Sequence, residues 1–407
     1  MKLARTESLP EAPAQAEKRS LPSRAVIGEA TRYCLTVFLG VRIGLVVLTL
    51  AAASLVPPNA AADVEGWPAP ESEPGWSSVV TAFERWDALW FLRIADSGYA
   101  EDDASAAFFP AYPVVVGGLS AVIGGHPLPA ALIISHIALF AALVVLYLLT
   151  RLEYDEDAAK KTVLYMALFP TAFFFFAPYS ESMFLFFAAA SVLCARTGRW
   201  SWAGVLGALA AATRSIGIAL LPALALEAWV QSRRDDSRLG LASRLGWSAF
   251  VAVGTLAYLA YWKSVSGDWL APMSEQANWQ REATSPLWTL WEGTRLAFLF
   301  LGDAGGGYHM LDLVIVVPVV AAGIWAVTKT RAVYATYVGI SLLLPLILVF
   351  DARPFMSVPR FAVVVWPLFW GFVAFARRFN AHAAVTAGSA AGLGLLTMLF
   401  VNWYWIF

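Results

Sequence analysis

The chain has 407 residues, of which 59% are hydrophobic and only 14% charged, with a formal net charge of −1. Soluble domains carry about a quarter charged residues, so this balance marks a polytopic membrane protein and excludes an ordinary soluble fold. The near-neutral charge gives no basis for nucleic-acid binding.

Residues 1–30 are polar, with Lys2, Arg5, Lys18, Arg19 and Arg24, and read as a disordered cytoplasmic tail ahead of a single membrane domain, 31–407. No small-residue cleavage site cleanly follows the first apolar run, so 33–56 is predicted to be a retained transmembrane helix. Further apolar runs fall at about 128–149, 162–178, 182–195, 200–212, 215–230, 245–263, 310–328, 332–350, 361–376 and 382–401. With the first, they predict an all-α polytopic protein of about 11 transmembrane helices, several shorter than the roughly 20 residues that span a bilayer. Cys34 and Cys194 lie in separate apolar runs and read as two buried thiols. His126, His136, His309 and His382 lack ligand spacing.

The run "FFPAYPVVVGGLSAVIGG" (108–125) decides the topology, because it is short, holds two prolines and is broken by paired glycines. If it stays on the outer side as a half-helix, five basic clusters fall inside: Arg151 with Lys160 and Lys161, Arg196 with Arg199, Arg233 with Arg234, Lys329 with Arg331, and Arg377 with Arg378. The positive-inside rule selects that arrangement. Pro and Gly at membrane depth then require protein cover around the run. The same alternation brings "RWD", "PYSES", "TRS" and "PFMSVPR" to one outer face, formed with loops 57–127 and 266–308.

In "FERWDALWFLRIADSGYA" (83–100), Trp86, Leu89, Trp90, Phe91 and Ile94 recur at three- and four-residue steps. That spacing predicts an amphipathic helix lying at the interface and ending at Gly98. Asp87 sits at the edge of its apolar side, where desolvation raises a carboxyl pKa towards that of a general base. The bland alternative is a cap or a surface pair with Arg85 or Arg93. Glu101, Asp102 and Asp103 follow; a divalent cation shared with Asp87 is conceivable there but not favoured over simple solvation, so no cofactor is expected. Glu181 lies between two apolar runs, where a carboxylate is costly. It either hydrogen-bonds a polar substrate or is a helix-start carboxylate favoured by the dipole. Arg214 in "AAATRSIGIALLP" separates two short runs that would otherwise be continuous, and an arginine there needs an anion, either a protein carboxylate (Glu181 or Asp87) or a phosphate. Arg360 repeats the theme at the outer start of another helix, and two arginines suit a phosphate that gains charge as it leaves. The Trp-rich segment 266–308, with Arg281 and Arg295, reads as an interfacial loop with one or two amphipathic helices, most of its tryptophans being explained by an aromatic belt. No P-loop, GxGxxG, GxSxG or HExxH motif has supporting context.

Taken in order, "RWDALWFLRIADSGY", "AAFFPAYP", "PYSESMFLFF", "AATRSIGIAL", "GDWLAPMSEQANWQRE" and "PRFAVVVWPLF" resemble the PIG-V-type mannosyltransferases of the GT-C class, over about residues 30–380. The resemblance implies a GT-C-type fold and a polyprenyl- or dolichyl-phosphate-linked mannose donor. It also implies inverting transfer on the extracytoplasmic face to a lipid- or glycan-linked acceptor. By resemblance Asp87 is the catalytic carboxylate, and Glu181, Arg214, Trp279 and Arg360 match positions lining the site. Arg85, Trp86 and Gln276, within the same motifs, join them as expected substrate-binding residues. Many GT-C members carry a paired acidic motif in the first outer loop, whereas Glu84 and Asp87 are three apart, which argues against a metal pair. The Ala-rich chain suggests a bacterial relative and a plasma-membrane location.

Three rival readings remain at this level. A transporter or flippase keeps its ionisable residues near the midplane, often with inverted repeats, and neither feature is evident. A non-catalytic membrane partner would not need Asp87. An enzyme using another polyprenyl-phosphate sugar would share every residue named.

Overall fold

The computed structural model describes residues 22–62, 64, 77–100, 104–235, 238–303 and 306–406. Most of the expected tail (1–21) and the acidic residues Glu101, Asp102 and Asp103 lie outside the described residues. The first helix runs Arg24–Leu55, with the Ser23 hydroxyl accepting from the Val26 amide at 3.4 Å. Residues 24–30, expected in the tail, are therefore its first turns.

Every apolar run contributes a helix, though several are interrupted. Among the described residues six helices are long and apolar enough to cross a membrane: Arg24–Leu55, Pro127–Glu153, Ser215–Arg234, Gly240–Val265, Gly307–Lys329 and His382–Val401. The other runs form the shorter helices Glu156–Ala167, Glu181–Arg196, Trp200–Thr213, Ala332–Ile347 and Pro367–Phe379. These shorter helices have a common cause. The backbone breaks at 168–180, at Arg214 and at 351–366, and all three breaks meet on one face. Irregular backbone at membrane depth survives only where protein satisfies it, and here side chains do so. The Thr171 hydroxyl donates to the Pro359 carbonyl at 2.9 Å, Ser182 to Phe175 at 2.7 Å, and the Tyr179 phenol to the Arg85 carbonyl at 2.8 Å.

The run at 108–125 forms the helix Ala111–Val122, whose 12 residues rise about 18 Å, well short of a roughly 30 Å hydrocarbon core. Gly124 and Gly125, at φ 99° and 82°, turn the chain into Pro127. The cover it requires is present. The buried Tyr112 hydroxyl bonds to the Ser135 hydroxyl at 2.9 Å, and a Cβ on Gly117 would lie 2.6 Å from the Ala95 carbonyl oxygen. A half-helix fits this segment.

The basic clusters share the opposite face. Arg196 and Arg331 converge on Glu153 at 2.8 and 3.1 Å, Arg196 also pairs with Glu227, and Arg377 meets Asp155 at 2.6 Å. The segment 266–308 holds two helices, Ala271–Asn278 and Pro286–Leu299. It also holds a strand the sequence reading did not anticipate: Arg281–Ala283 pairs antiparallel with Leu348–Phe350, Arg281 opposite Phe350. Both cysteines are free.

Candidate active site

Asp87 opens the helix Asp87–Ser97, which ends at Gly98 (φ 83°) where the spacing placed the stop. The apolar side of this helix faces protein rather than lipid. Leu89, Trp90, Phe91, Leu92 and Ile94 are all buried, and Trp90 stacks on Phe108 with ring centroids 5.8 Å apart. The helix is thus a packed element of the site wall, its apolar side buried against protein. The residue before it is strained: Trp86 has φ 55°, a left-handed conformation that costs a bulky side chain on the order of 1–3 kcal/mol and collects at functional sites. Its effect is to aim Asp87 into the protein at a helix N-terminus, where the dipole favours a carboxylate.

Opposite Asp87, the three backbone breaks deliver Glu181, Arg214 and Arg360. Arg360 Nη1 pairs with Asp87 Oδ2, and its Nε donates to Glu181 Oε1 at 2.7 Å. Arg214 Nη1 reaches the same Glu181 oxygen at 2.7 Å and the Ser180 hydroxyl at 3.2 Å. Of the alternatives for Arg214, the protein carboxylate is realised, and the partner is Glu181. The partner of Asp87 is Arg360, not Arg85 or Arg93. The Arg360 guanidinium is sandwiched over the Phe174 and Tyr179 rings at 5.0 and 4.9 Å, and Arg214 lies 5.2 Å from the Phe361 ring centroid. Such cation–π stacking fits arginine rather than lysine. Glu181 opens the helix Glu181–Arg196, so it is the expected helix-start carboxylate, and it is also fully buried and paired with both guanidiniums.

In front of these groups lies a cavity of about 140 Å³. Asp87, Arg214, Arg281, Trp279 and Arg360 face it, with Phe91, Phe108, Phe109 and Phe361 forming apolar walls. Arg281 is the residue that reading the sequence passed over. Its strand pairing turns it inward, where Nη2 donates to the Ser357 hydroxyl at 2.9 Å. Burial draws its guanidinium pKa down, Asp87 opposes that, and the like charges of Arg360 and Arg214 add to the drop. Three guanidiniums against the carboxylates of Asp87 and Glu181 leave an excess positive charge at the cavity. Three buried polar atoms at the site have no partner among the described residues: Glu181 Oε2, Arg214 Nε and Trp279 Nε1. Such groups are costly when orphaned, and a polar ligand in this cavity is the available remedy for those that reach it.

Two expected substrate-binding residues are placed elsewhere. Arg85 points away from the cavity: its Nε donates to the Val401 carbonyl at 3.1 Å, its Nη1 to Thr81 and Glu84 carbonyls at 2.9 and 3.0 Å, and it stacks 4.4 Å over Trp403. Trp86 packs against Trp403 and Trp405, centroids 5.8 and 6.1 Å away. Both clamp the C-terminal segment beneath the strained turn that precedes Asp87. The Gln276 side chain lies outside the described residues. Trp279 lines the cavity, edge-on to Trp90 and Phe108 at 6.1 and 6.0 Å.

Residues 33–231 match the family model described as Mannosyltransferase (PIG-V). This is the family the sequence motifs resemble, and its enzyme class, glycosyltransferase, is the class of this chain. The matched segment contains Asp87, Glu181 and Arg214. None of the curated proteins compared matches the chain. Among solved structures, the chain is similar to ArnT from Cupriavidus metallidurans bound to undecaprenyl phosphate, at 13% identity and a TM-score of 0.46, covering 91% of this chain and 76% of that one. It is also similar to the Archaeoglobus fulgidus oligosaccharyltransferase in complex with Zn and sulfate, at 13% identity and a TM-score of 0.40, covering 90% of this chain and 53% of that one. The chain thus spans about half the length of the oligosaccharyltransferase.

Proposed function

We propose that this membrane glycosyltransferase transfers mannose from a polyprenyl-phosphate-mannose donor to a lipid- or glycan-linked acceptor hydroxyl, with inversion, on the extracytoplasmic face of a bacterial plasma membrane. The observation that carries the proposal is the cavity where Asp87 faces Arg214, Arg281 and Arg360 at the ends of broken helices. A sugar phosphodiester fits it in charge, and a lipid-linked donor arrives at that depth from the bilayer.

In the proposed reaction the acceptor oxygen forms a bond to the anomeric carbon as the bond from that carbon to the phosphate oxygen breaks. One displacement from the opposite side inverts the centre. The hydroxyl proton passes to an Asp87 carboxylate oxygen, a contribution of typically 10²–10⁴-fold in rate. The departing phosphate goes from one negative charge towards two. Arg214, Arg281 and Arg360 stabilise that gain most in the transition state, where it develops, so no proton donor is required for the leaving group. Arg360 has a second task. Bound to Asp87 at rest, it shifts to the donor phosphate and so frees the carboxylate for the acceptor.

The same geometry would serve another polyprenyl-phosphate sugar, since every contact named is to the phosphate or to the acceptor proton. The test is reconstitution of the purified chain with radiolabelled polyprenyl-phosphate-mannose and a membrane lipid extract. Transfer of label to a discrete product with release of polyprenyl phosphate supports the proposal. Transfer only when the sugar is changed would replace mannose, and label moving across the bilayer without transfer would indicate a flippase.

A further inference from the structure

A second and larger cavity, of about 860 Å³, shares no lining residue with the Asp87 cavity and reaches the basic face at Lys329 and Arg378. That size is within the range of small-molecule sites. Its walls come from Gly307–Lys329, Pro367–Phe379 and the first half of His382–Val401, closed behind by Tyr165, Phe169 and Pro170. The lining is overwhelmingly apolar. Val314, Phe375 and Phe379 belong both to it and to the exposed apolar surface, so the cavity opens sideways onto the face that meets lipid. From Val314 to Lys329 the wall helix rises roughly 22 Å at 1.5 Å per residue, deeper than the roughly 15 Å of one leaflet's hydrocarbon.

Its mouth carries the informative charges. Lys329 and Arg378 both line it and are both exposed. Their neighbours on the basic face are taken: Arg377 by Asp155 and Asp157, Arg331 by Glu153. Among the described residues no carboxylate lies within ion-pair distance of Lys329 or Arg378; Arg378 has only the Phe379 ring, 5.6 Å from its guanidinium carbon. Two unneutralised cations thus stand at the interface above a chain-length apolar slot. Basic pockets between transmembrane helices on the cytoplasmic side are where anionic headgroups bind.

We propose that this cavity is a binding site for an anionic glycerophospholipid of the leaflet on the basic face. Its acyl chain lies along Pro318, Phe372 and Phe375, and its headgroup phosphate lies between Lys329 and Arg378. The site is separate from the Asp87 cavity, and the proposal does not depend on which sugar is transferred there.

The test is native mass spectrometry of the full chain released from nanodiscs of equal phosphatidylglycerol and phosphatidylcholine, which counts the lipids retained. The wild type is expected to retain phosphatidylglycerol preferentially. Lys329→Ala with Arg378→Ala should weaken that retention on the order of thirtyfold, the sum of two contacts of about 1 kcal/mol each. Gly388→Leu provides a second arm, because Gly388 lines the slot and a Cβ there meets open space, so that a larger side chain occupies the slot. It should lower retention while the thermal midpoint without added lipid stays near wild type. Equal retention of both lipids by the wild type would overturn the proposal, as would undiminished phosphatidylglycerol in the double variant. Efficient disulfide cross-linking between copies of a Gly388→Cys chain in the bilayer would overturn it too, since a second copy would then cover the cavity.

Discussion

Arg360 holds Asp87 with one nitrogen and Glu181 with another: Nη1 pairs with Asp87 Oδ2, and Nε donates to Glu181 Oε1 at 2.7 Å. A residue proposed to receive a proton is thus bound at rest to a residue proposed to stabilise the leaving group. In this arrangement the donor phosphate competes with Asp87 for one guanidinium, and donor binding and base release become a single event. The order of binding follows: donor before acceptor.

Arg281 separates anion binding from structural pairing. Arg214 and Arg360 each hold Glu181, whereas the Arg281 side chain contributes charge to the cavity and, among the described residues, hydrogen-bonds the Ser357 hydroxyl alone. Arg281→Gln should raise the KM for the lipid donor and lower kcat/KM by roughly 10–100-fold, the loss of one charge-assisted phosphate contact of about 1.5–3 kcal/mol. Its thermal midpoint should stay close to wild type. Unchanged donor kinetics would remove Arg281 from the phosphate site.

Glu181 should behave in the opposite way. It neutralises Arg214 and Arg360 while fully buried, and removing one partner of a buried ion pair costs about 3–5 kcal/mol. Glu181→Gln should therefore lower the thermal midpoint in detergent markedly, with activity falling alongside it. A Glu181→Gln chain as stable as wild type but inactive would mean that Glu181 contacts substrate instead.

Arg85 and Trp403 act at a distance. Arg85 ties the strained turn to the Val401 carbonyl and stacks on Trp403, while its own carbonyl accepts from Tyr179. Arg85→Gln should shift Asp87 without altering the cations. The expectation is a lower kcat, on the order of 10²-fold for an ångström of displacement, with donor affinity retained. An equal loss in both parameters would assign Arg85 to substrate binding after all.

The orientation in the membrane rests on the basic clusters. Ser285 is exposed on the side of the Asp87 cavity and Arg234 is exposed on the basic side. In intact cells, a Ser285→Cys chain should react with an impermeant thiol reagent and an Arg234→Cys chain should not. The reverse pattern would place the site in the cytoplasm.

Much of the site could be read from residues whose presence in apolar surroundings is costly. Glu181, Arg214 and Arg360 stand out because each interrupts or borders a hydrophobic run, and the structure brings them together within hydrogen-bonding distance. Asp87 stands out differently, at the edge of the apolar side of an amphipathic helix, and its catalytic role is what the family resemblance implies. The choice of partner was not legible, since which of Arg85, Arg93 and Arg360 meets Asp87 depends on the φ of Trp86 and on how distant helices pack. Arg281 was lost for a related reason. Its segment resembles an aromatic belt, and only pairing with Leu348–Phe350, far along the chain, turns it inward. Trp86 and Trp90 read as interface anchors because amphipathic spacing is the same whether the apolar side meets lipid or protein.

The central claim is that Asp87 takes the acceptor's proton once the donor phosphate has drawn Arg360 away. It is tested most directly by measuring donor binding and single-turnover transfer on one purified preparation of Asp87→Asn. The substitution keeps size and shape, removes the base, and leaves Arg360 without its competing carboxylate. The account predicts polyprenyl-phosphate-sugar binding at least as tight as wild type, with transfer slowed by 10²–10⁴-fold. Near wild-type transfer by that variant would contradict it.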